Sequence, residues 1–262
     1  MTALSATRTL AVNLASSYAN IVLMALITLL VVPIYVHTLG VSQWGVVALC
    51  MTVQGVLFSI DVALGPLMLR DVALAASRGR QQDMYRRFLR IYGGFALGLF
   101  VLVQLAVFGW QQLPSQAETA SSDQLVWALR IVLVQFLFQF SNNAAIGYWN
   151  GLERQRFANL RIAAFLLVKH GLALLLVIFW QATAIAYLLP FATVCAIEFL
   201  LNYRRVRLDD RQVATQADTE RAAPVTMAAV AVPEWRGFAA FGIAAGLGVL
   251  TTLIDRAYLS LA

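Results

Sequence analysis

The sequence predicts an all-α, polytopic membrane bundle: six spans forming an N-terminal lobe, plus a seventh span. Three observations lead there. Of 262 residues, 61% are hydrophobic and only 12% charged, where a soluble domain averages about 45–50% and about 25%. The apolar residues fall in runs of about twenty, the length a helix needs to cross a bilayer, and no water-soluble core of this size would hide them. Fifteen of the nineteen basic residues sit in alternate loops between those runs, and a sixteenth, Arg8, precedes the first run.

The runs cover about residues 10–36, 44–69, 91–110, 124–148, 162–180 and 185–201, and a last one begins near residue 238. The first contains Asn13, Asn20 and Pro33 and lacks a small-residue cleavage site, so it stays as a helix rather than being removed as a signal peptide. Segment 202–237 carries Arg204, Arg205, Arg207, Asp209, Asp210 and Arg211 and is broken by Pro224 and Pro233. It reads as a cytoplasmic linker, partly helical. The division expected is a lobe over 1–201, the linker, and the incomplete start of a second lobe over 238–262.

Short cytoplasmic loops retain Lys and Arg. Loop 70–90 holds six arginines and loop 149–161 holds Arg154, Arg156 and Arg161, whereas loops 38–43, 111–123 and 181–184 hold no basic residue. The N-terminus, with Arg8, is therefore expected in the cytoplasm. The net charge of +6 is a topology signal, with a weak attraction to anionic lipid second to it. It does not point to nucleic acid, which needs a basic face on a folded domain. Cys50 and Cys195 fall inside apolar runs, as small buried hydrophobes do. Phosphate-loop, H-E-x-x-H, C-x-x-C and G-x-S-x-G motifs are missing, so nothing suggests an enzyme, a cofactor or a metal site.

Ionisable side chains inside a span cost at least about 2.5–3.5 kcal/mol each on insertion scales, so each asks for a partner, a wet cavity or a task. Asp61, Arg130, Lys169, Glu198, Asp255 and Arg256 are such residues. Counting about 1.5 Å per residue, Asp61 and Lys169 lie at one depth, about 11–12 Å from the cytoplasmic edge, which allows them to pair. Arg130 and Asp255, both nearer the outer edge, form a second candidate pair. Glu198 is close enough to its helix end to snorkel, and His170 is read as a local hydrogen-bonding neighbour of Lys169. Pro33, Pro66 and Pro190 bend spans. Gly94 with Gly98 and Gly242 with Gly246 have the small-xxx-small spacing of close helix contacts. Trp44, Trp110, Tyr148, Trp149, Trp180 and Trp235 fall at span ends, as interfacial anchors do.

Several segments carry a resemblance. Residues Pro33-Ile-Tyr-Val-His-Thr-Leu-Gly40, Trp44-Gly45 and Ser59-Ile-Asp61-Val-Ala-Leu-Gly65 with Arg70 resemble the N-terminal region of polysaccharide (O-antigen type) flippases. These belong to the superfamily of multidrug, oligosaccharidyl-lipid and polysaccharide exporters. Asn150-Gly151-Leu-Glu-Arg154-Gln-Arg156-Phe-Ala-Asn159 and Leu253-Ile-Asp255-Arg256-Ala-Tyr-Leu-Ser260 are similar to the family's later segments. The resemblance implies a two-lobed bundle in a bacterial inner membrane that flips a polyprenyl-diphosphate-linked oligosaccharide by alternating access. It further implies that Arg130, Lys169 and Arg256 bind the diphosphate and that Asp61 and Asp255 carry a coupling proton or sodium ion. Family members have two lobes of about six helices, so a chain ending at Ala262 is expected to be a truncated one. The rival readings are an organic-cation antiporter of the same superfamily, a membrane enzyme acting on the same lipid carrier, and a non-transporting partner of polysaccharide-assembly proteins. Short, nearly uncharged outer loops weigh against the enzyme.

Overall fold

In hydrocarbon every backbone N–H and C=O has to bond within its own segment, so long apolar runs fold as helices. The computed structural model describes residues 3–59, 61–75, 77–111 and 120–219, and among these residues it contains no strand. Its elements are α1 (Ala3–Phe58), α2 (Asp61–Leu74), α3 (Arg78–Gln111), α4 (Ala120–Gly151), α5 (Gln155–Phe179) and α6 (Ala184–Thr219). Five helices are long and apolar enough to cross a membrane by length and composition. The run from residue 238, and with it Asp255, Arg256, Gly242, Gly246 and Trp235, lies outside the described residues.

The longest of the five, Ala11–Phe58, has 48 residues. As one rod it would measure about 72 Å, over twice the ~30 Å hydrocarbon core. It is two helices joined at Gly40, whose φ of 74° and ψ of 165° belong to a region essentially reserved for glycine. The chain doubles back there. Tyr35 and Trp44 stack with centroids 6.5 Å apart, whereas nine residues of unbroken helix would separate them by about 13 Å along the axis. Pro33 sits within the first limb and Pro66 and Pro190 within α2 and α6, but the break in α1 falls at the glycine.

Side-chain contacts fix the register of the alternating helices. At one end Asn13 Nδ2 donates to the Glu153 carbonyl at 3.3 Å and Asn20 Nδ2 to the Asn159 carbonyl at 3.1 Å. At the other, Gln43 bonds Gln124, and its Oε1 accepts from the Ala184 backbone N–H at 2.9 Å. The first limb, α3 and α5 therefore run against α4, and the second limb, α2 and α6 run with it. The Asn13 end is the one bearing the arginine-rich loops.

The second expected span, 44–69, is not one helix. The second limb stops at Phe58, where the Ser59 hydroxyl donates to the Val56 carbonyl at 2.6 Å, an alternative to helix continuation that serine offers readily. A new helix then starts at Asp61, whose carboxylate suits a first turn.

α4 is the centre of the bundle, packed on α6, α3, α2, α1 and α5. Two of its glycines lie close against α2. A Cβ at Gly151 would meet Val72 Cβ at 2.7 Å and the Leu69 carbonyl at 3.1 Å, and one at Gly147 would meet Met68 Sδ at 2.9 Å. The expected contact at Gly94 and Gly98 is absent, for both glycines face open space. Two apolar clusters fill the bundle. Met68, Phe88, Tyr92, Phe136, Phe140 and Trp149 lie toward the basic end, and Tyr35, Val47, Cys50, Val177 and Tyr187 toward the other. Tyr148 and Trp149 are thus core residues, not interfacial anchors; Trp149 is only 1% exposed. α6 continues unbroken from residue 202 to Thr219, so the first part of the expected linker is an extension of the sixth helix.

Candidate functional site: a polar network across the central helix

Adjacent residues on a helix point about 100° apart. On α4 this sends Asn142 and Asn143 to opposite sides of the bundle, each to a carboxylate. Asn143 Nδ2 donates to Asp61 Oδ2 at 2.8 Å, and the Tyr92 hydroxyl donates to Asp61 Oδ1 at 2.5 Å. Asp61 is thereby held at the helix break by α3 and α4, above the Met68–Gly147 contact.

On the other side Asn142 Nδ2 donates to Glu198 Oε1 at 3.0 Å, and Lys169 Nζ donates to Glu198 Oε2 at 2.8 Å. Lys169 is 8% exposed and Glu198 4%, so this ion pair of α5 and α6 is out of reach of solvent. The chain of bonds continues toward the basic end. Arg161 Nε donates to Asn202 Oδ1 at 2.6 Å, and Asn202 Nδ2 donates to Asn142 Oδ1 at 2.7 Å. Every bond is donated toward Glu198. The two carboxamides are therefore oriented in series, from the Arg161 cation at one end to the Glu198 carboxylate at the other, the pattern expected of a satisfied polar network. Cys195 and Gln139 flank it, joined at 3.4 Å.

These contacts revise the expected pairing. Asp61 and Lys169 share a depth range, but α4 stands between them, and each finds a partner on its own side. Glu198 does not snorkel; its carboxylate turns inward because Lys169 and the Asn142 amide satisfy it there. His170 is a local neighbour, with the Tyr35 hydroxyl donating to its carbonyl at 3.0 Å and lying 3.4 Å from Nδ1. Arg130 sits three turns before Asn142, about 18 Å along the axis, with its guanidinium 5.0 Å from the Trp127 ring. It occupies a different level from Lys169. Arg256 and Asp255 lie outside the described residues. Among the described residues, no cluster of three His, Cys, Asp or Glu is placed to hold a metal ion, and Cys50 and Cys195 are free and buried.

A survey of charged residues inside the spans misses the amides Asn142, Asn143 and Asn202, the phenol of Tyr92, and Arg161, which was counted with the loops. The signal was present in the fourth run, where Gln135, Gln139, Ser141, Asn142 and Asn143 interrupt an otherwise apolar segment; amides without partners are costly in hydrocarbon.

Fold and site together define a helical bundle of membrane-protein character with ionisable groups held in its interior. No protein-family model, curated protein or solved structure matches the chain.

Proposed function

We propose that the chain is a lobe of a polysaccharide-type flippase, a secondary transporter that moves a polyprenyl-diphosphate-linked oligosaccharide across a bacterial inner membrane by alternating access, with its N-terminus in the cytoplasm. The observation carrying this reading is the buried Lys169–Glu198 pair. A static bundle gains nothing from it, since apolar residues of equal volume stabilise as well or better. A pair that opens in one state and closes in another has a use for both charges. In this scheme Lys169, released from Glu198, meets the diphosphate, and Arg130 and Arg256 add cationic lining. Asp61, seated at a helix break, carries the coupling proton or sodium ion, and Asp255 is its counterpart in the seventh span.

The test is flipping of lipid-linked oligosaccharide in vesicles carrying the full chain. Flipping above that of empty vesicles is expected, with Lys169→Gln and Asp61→Asn each lowering it at least tenfold. No flipping, or flipping indifferent to both substitutions, overturns the reading. One observation favours the organic-cation antiporter instead: Asp61 has no cationic partner among the described residues, so its carboxylate is open to a cationic solute. Efflux of a lipophilic cation from the same vesicles, abolished in Asp61→Asn and unaffected in Lys169→Gln, would select that alternative.

A further inference from the structure

We propose that Arg161 is a binding site for a phosphate group at the basic end of the bundle. The network contains two cations, the buried Lys169 and the partly exposed Arg161, against one carboxylate, Glu198. Lys169 takes Glu198 directly. Glu198 acts on Arg161 only from a distance, without an ion-pair contact, and Arg205 of α6 opposes that attraction. Other arginines of this end reach carboxylates: Arg70 to Asp71, Arg86 to Asp83, and both Arg154 and Arg205 to Asp209. Arg161 reaches none among the described residues.

The guanidinium is also built into place. Its Nε is fixed by Asn202, and its carbon lies 5.7 Å from the Trp149 ring, 5.6 Å from Phe157 and 5.4 Å from Phe165. Phe157 and Phe165 are one turn before and one turn after it on α5, and Trp149 closes the recess from α4. Aromatic faces and an amide hold the plane of the fork, leaving the Nη edge without a protein acceptor among the described residues. Two parallel N–H donors on a fixed plane match the oxygens of a phosphate. The residue sits in the second turn of α5, at the end carrying the arginine-rich loops, the level where lipid phosphates lie. The phosphate could come from an anionic phospholipid, from the diphosphate of a polyprenyl carrier, or from solution.

The full chain, purified in a phosphate-free maltoside detergent, is titrated separately with phosphatidylglycerol, a polyprenyl diphosphate and inorganic pyrophosphate, and phosphorus NMR and the thermal midpoint are followed. At least one probe is expected to shift both signals, with affinity at least tenfold lower in Arg161→Gln and within twofold of the parent in Arg156→Gln, an exposed neighbour. Arg161→Lys, which keeps the charge but loses the fork, should fall between and serves if the Gln variant fails to fold. The probe that binds tightest names the source. The proposal is overturned if no probe binds the parent, if Arg161→Gln binds as tightly, or if it loses no more than Arg156→Gln. The inference does not depend on transport: phosphate binding without flipping leaves the site and ends the flippase reading, and flipping without Arg161-dependent phosphate binding does the reverse.

Discussion

Glu198 receives Lys169 on one oxygen and Asn142 on the other, so removing either charge strands its partner in an apolar interior. Truncating one member of a buried ion pair costs about 3–5 kcal/mol. Glu198→Leu is expected to destabilise the folded chain by about that amount, and adding Lys169→Met should recover most of it. Unfolding in detergent checks this, and a double variant no more stable than the single one would refute the pairing. Asn143→Leu should disturb the Asp61 side alone, costing about 1–3 kcal/mol for the carboxylate oxygen it leaves unbonded. Each ionisable residue was visible in the sequence as an expense, because charge in an apolar run stands out. Its partner was not, because depth along a helix can be counted from sequence but azimuth cannot. Asp61 and Lys169 were at compatible depths and still faced opposite sides of α4.

At the level of elements, glycine positions separate close contacts from open surface. Gly151→Ala places a methyl against Val72 and a backbone carbonyl, which a helix relieves only by moving, at a cost of about 1–3 kcal/mol. Gly147→Ala meets the Met68 side chain, Sδ first, and no backbone, and should cost less. Gly94→Ala and Gly98→Ala, inside α3 and in open space, should cost nothing and gain up to about 1 kcal/mol from helix propensity. Thermal midpoints of the four variants rank them, and equal effects at Gly98 and Gly151 would contradict the packing. The small-xxx-small spacing was legible at both places, but spacing does not say whether a neighbour is present. The helices themselves followed from hydrophobic run length. The break at Ser59 and Asp61 did not, because the apolar run passes over it and only local hydroxyl and carboxylate chemistry divides it.

For the molecule as a whole, the reversal at Gly40 decides on which side every later loop emerges. If Ala11–Phe58 folds back at Gly40, residue 41 shares a side with residue 182 and lies opposite residue 156; if it crossed once without turning, residue 41 would lie within or beyond a single span and this parity would fail. Val41 is highly exposed, and residues 156 and 182 are exposed as well, so single cysteines at these positions can be tested with a membrane-impermeant maleimide in sealed vesicles of known orientation. The two native cysteines are buried and give little background. Val41→Cys and Ala182→Cys should react from the outer face, and Arg156→Cys only after the vesicles are opened. Labelling of all three from one face would refute the hairpin, and the reverse pattern would keep the hairpin but invert the orientation read from the arginines. Gly40→Ala sharpens the test. Its backbone geometry strains any residue with a Cβ, by about 1–3 kcal/mol, so the variant should lower the thermal midpoint while Val41→Cys alone does not. If Gly40→Ala were fully tolerated, the reversal would not depend on that glycine, and the stacking of Tyr35 on Trp44 would have to hold the turn by itself.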